Sequence, residues 1–253
     1  MRRFWLRWTL LILFVAVLGV VFVSMGEWQL DRLAQRKERN ATTIANEQSP
    51  VRPYEQVFTK QITDADQWQR VEARGTFDAD QQFVVRYRSS GELEGYEVVT
   101  PLRTANGVVL VDRGFIPVPR GTQIPSTAPP PPTGEVTVVG HVRRNEKGRR
   151  AATTPANNQV RLINSDAIAM TLPYPIKSGY IGLLTVQPEQ EGGFQPIQLP
   201  ELSEGPHFWY AVQWFMFTAV GVAGIVVFIR TDLRARREER EDAAQAHADH
   251  VKI

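Results

Sequence analysis

Two uncharged apolar runs near the ends of this 253-residue chain constrain its fold more than any other feature. Trp8 to Met25 spans 18 residues and Phe208 to Ile229 spans 22, and neither run contains a charged side chain. A helix needs about 20 apolar residues to cross about 30 Å of hydrocarbon. We therefore predict two transmembrane helices, over residues 8–25 and 207–229. The first is read as an uncleaved anchor, because it is long for a signal peptide and no small-residue cleavage pattern follows it.

Arginines beside the two runs predict their orientation. Arg2, Arg3 and Arg7 precede the first run, and Arg230, Arg234, Arg236 and Arg237 follow the second. Basic residues that flank a membrane span tend to remain in the cytoplasm. The sequence therefore predicts a cytoplasmic N-terminus (residues 1–7), an extracytoplasmic domain (26–206) and a cytoplasmic charged tail (230–253).

Charge and composition narrow the function classes. The formal net charge of +2 comes from the basic flanks, so we predict contact with membrane lipids and no nucleic-acid partner. With no cysteine, the chain can form no disulfide and no thiolate site. The sequence contains no HExxH, P-loop, GxGxxG or GxSxG pattern, and outside the tail its histidines are His141 and His207. We therefore predict that the protein is not an enzyme and has no catalytic residues.

The region between the runs has the pattern of a mainly antiparallel β domain. Seven runs of β-forming residues predict strands at 68–77, 81–87, 95–104, 107–117, 136–142, 159–164 and 179–186. Asn106 and Gly107 can both take positive φ, which favours a tight hairpin there. Seven short strands with Gly and Pro punctuation indicate a small barrel or sandwich, with minor helix where the chain leaves the first span. Pro129 to Pro132 is interpreted as a stiff connector on the surface.

Polar residues follow the first apolar run at helical spacing. Gln29, Arg32 and Arg36 fall at i, i+3 and i+7 on one face of a continuing helix, and Trp28 lies beside them at the membrane interface. One interpretation is an aromatic belt residue with snorkelling arginines. The other is a polar stripe that docks on a partner or on an anionic group.

His207 stands at the mouth of the second apolar run. Tyr210, Ala211 and Trp214, at i+3, i+4 and i+7, share its helical face, with room for a flat apolar ligand. A neutral imidazole there can coordinate a metal, whereas the alternative is an ordinary interfacial anchor. Gln213 is costly in a lipid-facing position and is predicted to face a neighbouring helix. Spacing alone leaves ligand and anchor open.

Three motifs in order resemble those of the surfeit locus protein 1 family, assembly factors of cytochrome c oxidase. The first is a Gly-x-Trp-Gln-x-x-Arg pattern, matched by Gly26, Trp28, Gln29 and Arg32. The second is matched by Gly95, Tyr96, Thr100, Pro101, Leu102, Val111, Arg113, Gly114 and Phe115. The third is matched by His207, Tyr210, Ala211, Gln213, Trp214 and Phe215. Asp112, Phe115 and Pro206 replace the commoner Asn, Trp and Asn, and Arg36 stands where Lys is usual.

The resemblance implies a chaperone of the respiratory chain in the plasma (inner) membrane of a bacterium. It implies that haem a binds transiently at His207, beside Tyr210, Gln213 and Trp214, with no metal other than that haem iron. It also implies that the chain docks on oxidase subunit I and neighbouring oxidase subunits. The residues assigned to docking are Trp28, Gln29, Arg32, Arg36 and Arg113.

Two other functions remain as alternatives. The protein could be a permanent accessory subunit of the oxidase or of a respiratory supercomplex, since extended Pro-rich and basic segments can drape over a partner. A less favoured alternative is a two-span co-polymerase of envelope polysaccharide. Such proteins need long helical segments between their spans, and the Gly and Pro content of residues 90–135 argues against them.

Overall fold

The computed structural model describes residues 2–250, so residue 1 of the predicted N-terminus and residues 251–253 of the predicted tail lie outside it. The described residues form two compact units, one from 2–39 with 202–250 and one from 40–201, which we call the central domain. The helices are α1 (Arg2–Glu47), α2 (Arg150–Thr153), α3 (Ser165–Ala169) and α4 (His207–His250). The strands are β1 (Arg52–Pro53), β2 (Arg70–Phe77), β3 (Phe83–Ser90), β4 (Leu93–Thr104), β5 (Gly107–Pro117), β6 (Glu135–Arg143), β7 (Gln159–Val160) and β8 (Tyr180–Gln187). Three short 3-10 helices complete the described elements, at Tyr54–Gln56, Asp64–Asp66 and Ala79–Gln81.

Helices α1 and α4 are both long and apolar enough to cross a membrane. Only 6% of the apolar window of α1 and none of that of α4 is buried, so neither is the core helix of a globular domain. Both helices are longer than the predicted spans. Helix α1 continues past Met25 to Glu47, and α4 continues through the predicted tail to His250.

The two long helices pack against each other as an antiparallel pair. Ring centroids of Trp8 and Phe228 are 5.1 Å apart, and those of Phe22 and Trp214 are 5.5 Å apart. A methyl group on Gly26 would lie only 2.6 Å from the Phe215 ring, so glycine permits the close approach.

Helix α4 also has small residues at 219, 221, 223 and 224, a type of residue that permits close contact between membrane helices. Of these, Gly221 lies near Val15, whereas Ala219 and Ala223 are exposed and Gly224 has no neighbour within 4 Å. The small residue that is buried in the helix contact is Ala211, which is only 1% exposed. Small residues occur on several faces of the helix, and the partner helix decides which of them are buried.

The central domain is built on a closed five-stranded barrel, in the order β2-β6-β8-β5-β4 and back to β2. Within the barrel, neighbouring strands are antiparallel except for β5 and β8, which run parallel. The barrel closes through three residue pairs between β2 and β4, with Gly75 opposite Thr104 at the end of the seam. Strand β3 extends the sheet beyond β4, and the short strands β7 and β1 flank β3 and β2.

Alternation along the strands fills the barrel with aliphatic side chains. In β2, Val71 and Ala73 point into the core and Gly75 follows on the same face. The interior of the barrel is valine-rich and includes Val109, Val111, Val136, Val138, Val142, Ile181 and Leu183. Such a core stabilises the fold mainly by removing apolar surface from water. The predicted mainly antiparallel β domain with minor helix is confirmed.

One local prediction was wrong, and a second was confirmed with a different turn geometry. The predicted strand 159–164 ends at Val160, because β7 pairs with β3 at only two positions and the chain then turns toward α3. The two-residue loop between β4 and β5 is present, with Thr104 opposite Gly107, but positive φ occurs at Gly107 and not at Asn106.

Candidate functional site

His207 is the first residue of α4, and its side chain is half-buried against α1. Its Nδ1 atom lies 2.8 Å from Oε1 of Gln29. Because an amide oxygen can only accept, Nδ1 is the donor in this hydrogen bond. The first and third sequence motifs therefore meet at one contact, which spacing along the chain did not predict.

The helical face that His207 shares with Ala211 and Trp214 packs on α1. Ala211 is buried, and Trp214 contacts Phe22. The room predicted on this face for a flat ligand is therefore filled by the first helix. Tyr210 lies at the edge of the face and is 47% exposed.

Gln213 is exposed in this structure, so the neighbouring helix that it was predicted to face is not α1. Its side chain belongs to the outer surface of the helix pair, together with Met216 and Phe217. The ligand-binding roles assigned to Tyr210, Gln213 and Trp214 stay predictions.

The predicted polar stripe on α1 divides into two parts. Gln29 and Arg36 face the start of α4: a methyl group on Gly205 would lie 2.7 Å from Nη1 of Arg36 and 3.5 Å from the His207 ring. Trp28 and Arg32 are exposed, and the Arg32 guanidinium stacks 5.4 Å from the Trp28 ring. Of these four residues, Trp28 and Arg32 are therefore the ones that lie on the exposed surface of the helix.

Arg113 lies inside the central domain and not on its surface, with 1% of its area exposed. Its guanidinium donates to Gln190, Gln82 and the carbonyl oxygens of Pro129 and Pro130, at 2.7 to 3.0 Å. It also stacks 4.5 Å from the Phe194 ring. Burial lowers the pKa of Arg113 to about 10, so the group stays charged at neutral pH. The residue predicted to dock on a partner instead holds the proline segment against the barrel.

The other residues of the second motif are also internal. Tyr96, Thr100, Leu102, Val111 and Phe115 are each at most 4% exposed. Gly114 has a φ of +121°, and a methyl group there would lie 2.6 Å from the Gln195 carbonyl oxygen. This motif therefore builds the barrel wall and the bridge to residues 194–195, and it is structural in this chain.

Asp112 is a second buried charged group beside Arg113. Its Oδ1 accepts from the Gly114 N–H at 3.2 Å, and Oδ2 has no hydrogen-bond partner among residues 2–250. Burial, followed by the nearby charge of Glu97, holds the pKa of Asp112 well above its usual range. Burial also raises the pKa of Glu97, although Arg88 lies 2.7 Å away.

Asp112→Asn is expected to stabilise the central domain at neutral and higher pH. A group whose pKa is raised by folding favours the folded state below its unfolded pKa, and that contribution is lost as pH rises through the folded pKa. Asparagine keeps the Oδ1 acceptor and does not titrate, so we expect a gain of about 1 kcal/mol at pH 7 that disappears as the pH falls toward about 4, where Asp112 of the unfolded chain becomes protonated as well. Urea unfolding of the full chain in detergent would measure this gain. Asp80→Asn, at an exposed carboxylate, is the control, and an equal effect in both variants would contradict the prediction.

Within residues 2–250, no group of three or more His, Cys, Asp and Glu side chains is placed to hold a metal ion. The donor set at the start of α4 is of a different kind: one imidazole whose second nitrogen is already hydrogen-bonded, with a guanidinium nearby. A single imidazole ligand beside a cation suits a haem, which brings its own four nitrogen ligands and its own carboxylates.

Comparison with known proteins finds a family model and several bacterial relatives that cover most of this chain. The model of the SURF1 family matches residues 16–219, which include Gln29, the whole central domain and His207. Uncharacterized SURF1-like proteins of Mycobacterium bovis and Mycobacterium tuberculosis are each 29% identical over 246 residues, covering 95% of this chain and 89% of theirs. A SURF1-like protein of Rickettsia conorii is 26% identical over 222 residues, covering 85% of this chain and 88% of its own.

Proposed function

This chain belongs to the SURF1 family, and on that premise we propose that it assists the delivery or insertion of haem a into the catalytic subunit I of cytochrome c oxidase. The family is one of oxidase assembly factors and not of enzymes. With two long apolar helices and bacterial relatives, this member is a bacterial membrane protein. We place both termini in the cytoplasm and the central domain outside, in line with the flanking arginines.

The contact between Gln29 and His207 is the main observation that supports this proposal. Two motifs that are far apart in sequence meet at 2.8 Å, at the start of α4, in a protein with no other described histidine in that helix pair outside the tail. An interfacial anchor needs no hydrogen-bonded partner, whereas a metal-binding histidine usually has one. This pairing favours the ligand role over the anchor role.

Two side chains, those of His207 and Arg36, would hold haem a. Haem a supplies an iron that accepts an imidazole nitrogen and carboxylates that pair with guanidinium groups. His207 would offer Nε2, because Nδ1 is engaged by Gln29. Arg36, which lies near Gly205 just before the start of α4, would pair with a carboxylate of the haem.

Docking on the oxidase is assigned to the exposed Trp28 and Arg32 pair. Exposed Trp and Arg side chains are frequent anchors of protein interfaces. Gln29 and Arg36 face the haem site in this proposal, and Arg113 acts indirectly by holding the central domain together.

Haem a content of the purified full chain tests the ligand role of His207. We expect wild-type protein, purified in mild detergent from cells that make haem a, to carry haem. His207→Ala should lose it, with a fall in the oxidase activity of the membranes. His207→Trp keeps an interfacial aromatic and removes the ligand, so it should lose haem as well.

Trp209→Ala is the matched control for the anchor role. Trp209 is 72% exposed and is the typical interfacial anchor of this helix. We expect this variant to keep its haem. If His207→Trp retained haem a and oxidase activity, His207 would be an anchor and the proposed function of this site would be wrong.

A further inference from the structure

The hydrogen bond between Gln29 and His207 determines which imidazole nitrogen is available. The Gln29 carbonyl oxygen accepts, so Nδ1 carries the proton that is donated in this hydrogen bond. In the neutral ring, Nε2 then carries the lone pair. Within residues 2–250, the hydrogen bond of the His207 ring is the one that Nδ1 makes with Gln29, so Nε2 is the nitrogen left for a ligand bond.

The position of Gln29 is set by the packing of the helix pair. Gln29 follows Gly26 by about one turn of α1, and the space beside Gly26 is filled by the Phe215 ring. Ala211, one turn after His207, is buried at the same contact. Because both neighbours are small, the helices approach closely enough for the Gln29 amide to reach the imidazole.

We infer that Gln29 is the positioning residue of the haem site: it fixes the tautomer and the ring orientation of His207 so that Nε2 faces the iron. The inference rests on the proposed function and names a residue of α1 that does not itself contact the haem. A metal-binding histidine usually donates its second N–H to an acceptor, which also raises its basicity as a ligand. Loss of such an acceptor typically weakens metal affinity 10- to 100-fold.

Three substitutions of Gln29 separate positioning from packing. Gln29→Leu keeps the size of the side chain and removes the acceptor, and Gln29→Asn keeps the amide on a shorter chain that falls short of Nδ1. Gln29→Glu keeps both reach and acceptor and adds charge. Each full-length variant is titrated in detergent at pH 8 with ferric haem a, and the iron–imidazole stretching frequency of the reduced complex is recorded by resonance Raman spectroscopy.

We expect Gln29→Leu and Gln29→Asn to bind haem a about 10- to 100-fold more weakly and to lower the iron–imidazole frequency. Gln29→Glu should bind within a few-fold of wild type and raise that frequency, since a carboxylate is the stronger acceptor. The order Glu, Gln, Leu in frequency is a signature that a merely structural role of residue 29 would not produce. Gln35→Leu, at an exposed glutamine of the same helix, should change neither quantity.

The outcomes distinguish this inference from the function on which it rests. If His207→Ala bound haem a as wild type does, the proposed function would fail. If His207→Ala lost haem but Gln29→Leu kept both affinity and frequency, Gln29 would have no positioning role. If Gln29→Glu behaved like Gln29→Leu, packing and not hydrogen bonding would explain the effect, which also overturns the inference.

Discussion

Arg113→Ala is expected to lower the free energy of unfolding of the central domain by about 3 kcal/mol. The substitution leaves the carbonyl oxygens of Pro129 and Pro130 and Oε1 of Gln190 without their donor, and it leaves Oε1 of Gln82 with only the Thr100 hydroxyl. It also opens a cavity beside the Phe194 ring. Hydrogen–deuterium exchange of barrel amides in the full chain should become about 100-fold faster.

Arg113→Lys should not restore stability. Lysine offers three donors from one nitrogen, whereas the guanidinium of Arg113 spreads four hydrogen bonds over three nitrogens. Arg74→Ala is the matched control, because Arg74 is exposed on β2 and its ion pair with Glu72 lies at the surface. That variant should change stability by at most about 0.5 kcal/mol. Wild-type exchange rates in Arg113→Ala would show that the side chain is not needed to hold the domain.

The strands were predictable from local pattern, whereas the closure of the barrel was not. Alternation placed Val71 and Ala73 on the core face, and a two-residue loop joined β4 to β5 as expected. Closure depends on pairs between β2 and β4 and on the parallel contact of β5 with β8. These pairs join distant parts of the chain, and no local signal specifies them.

Arg113 was assigned to docking because of the family resemblance, whereas the structure buries it inside the central domain. The signal that could have located it is its context: in β5 the pair Asp112 and Arg113 lies between the apolar run 108–111 and the residues Gly114 and Phe115. A charged residue inside an apolar segment means either that the strand is wrongly assigned or that the charged side chain is buried and donates to several hydrogen-bond acceptors. The residues of the second motif therefore build the barrel.

The contact of Gln29 with His207 could not be predicted from the local sequence either. The sequence placed both residues at the same membrane face of two antiparallel helices, but helix rotation was unknown. Small residues on several faces of α4 offered several packings, and Gly26 of α1 selected the one that buries Ala211. Rotation decides whether Gln29 points at the imidazole, and rotation is set by packing.

Gly75→Ala is expected to open the barrel at its seam. A methyl group at this position would lie 2.1 Å from the Arg103 carbonyl oxygen and 2.8 Å from its carbon, both of which are backbone atoms. Backbone cannot move aside as a flexible side chain can, so β4 must shift away from β2. The seam holds only three residue pairs, whereas β2 and β6 share seven, so the strain is released here. We expect a loss of about 3 kcal/mol.

Hydrogen exchange resolved by segment measures where the barrel opens. In Gly75→Ala, amides of the seam in β2 and β4 should exchange about 100-fold faster, ahead of those between β6 and β8. Thr76→Val, at the exposed neighbouring position, adds no atoms toward the seam and should exchange as wild type does. Uniform acceleration across all strands would mean that the barrel unfolds as one unit, and unchanged rates at the seam would contradict the strain. The seam joins β2 and β4, the first and second barrel strands along the chain, so its selective opening would identify this closure as the least stable part of the barrel.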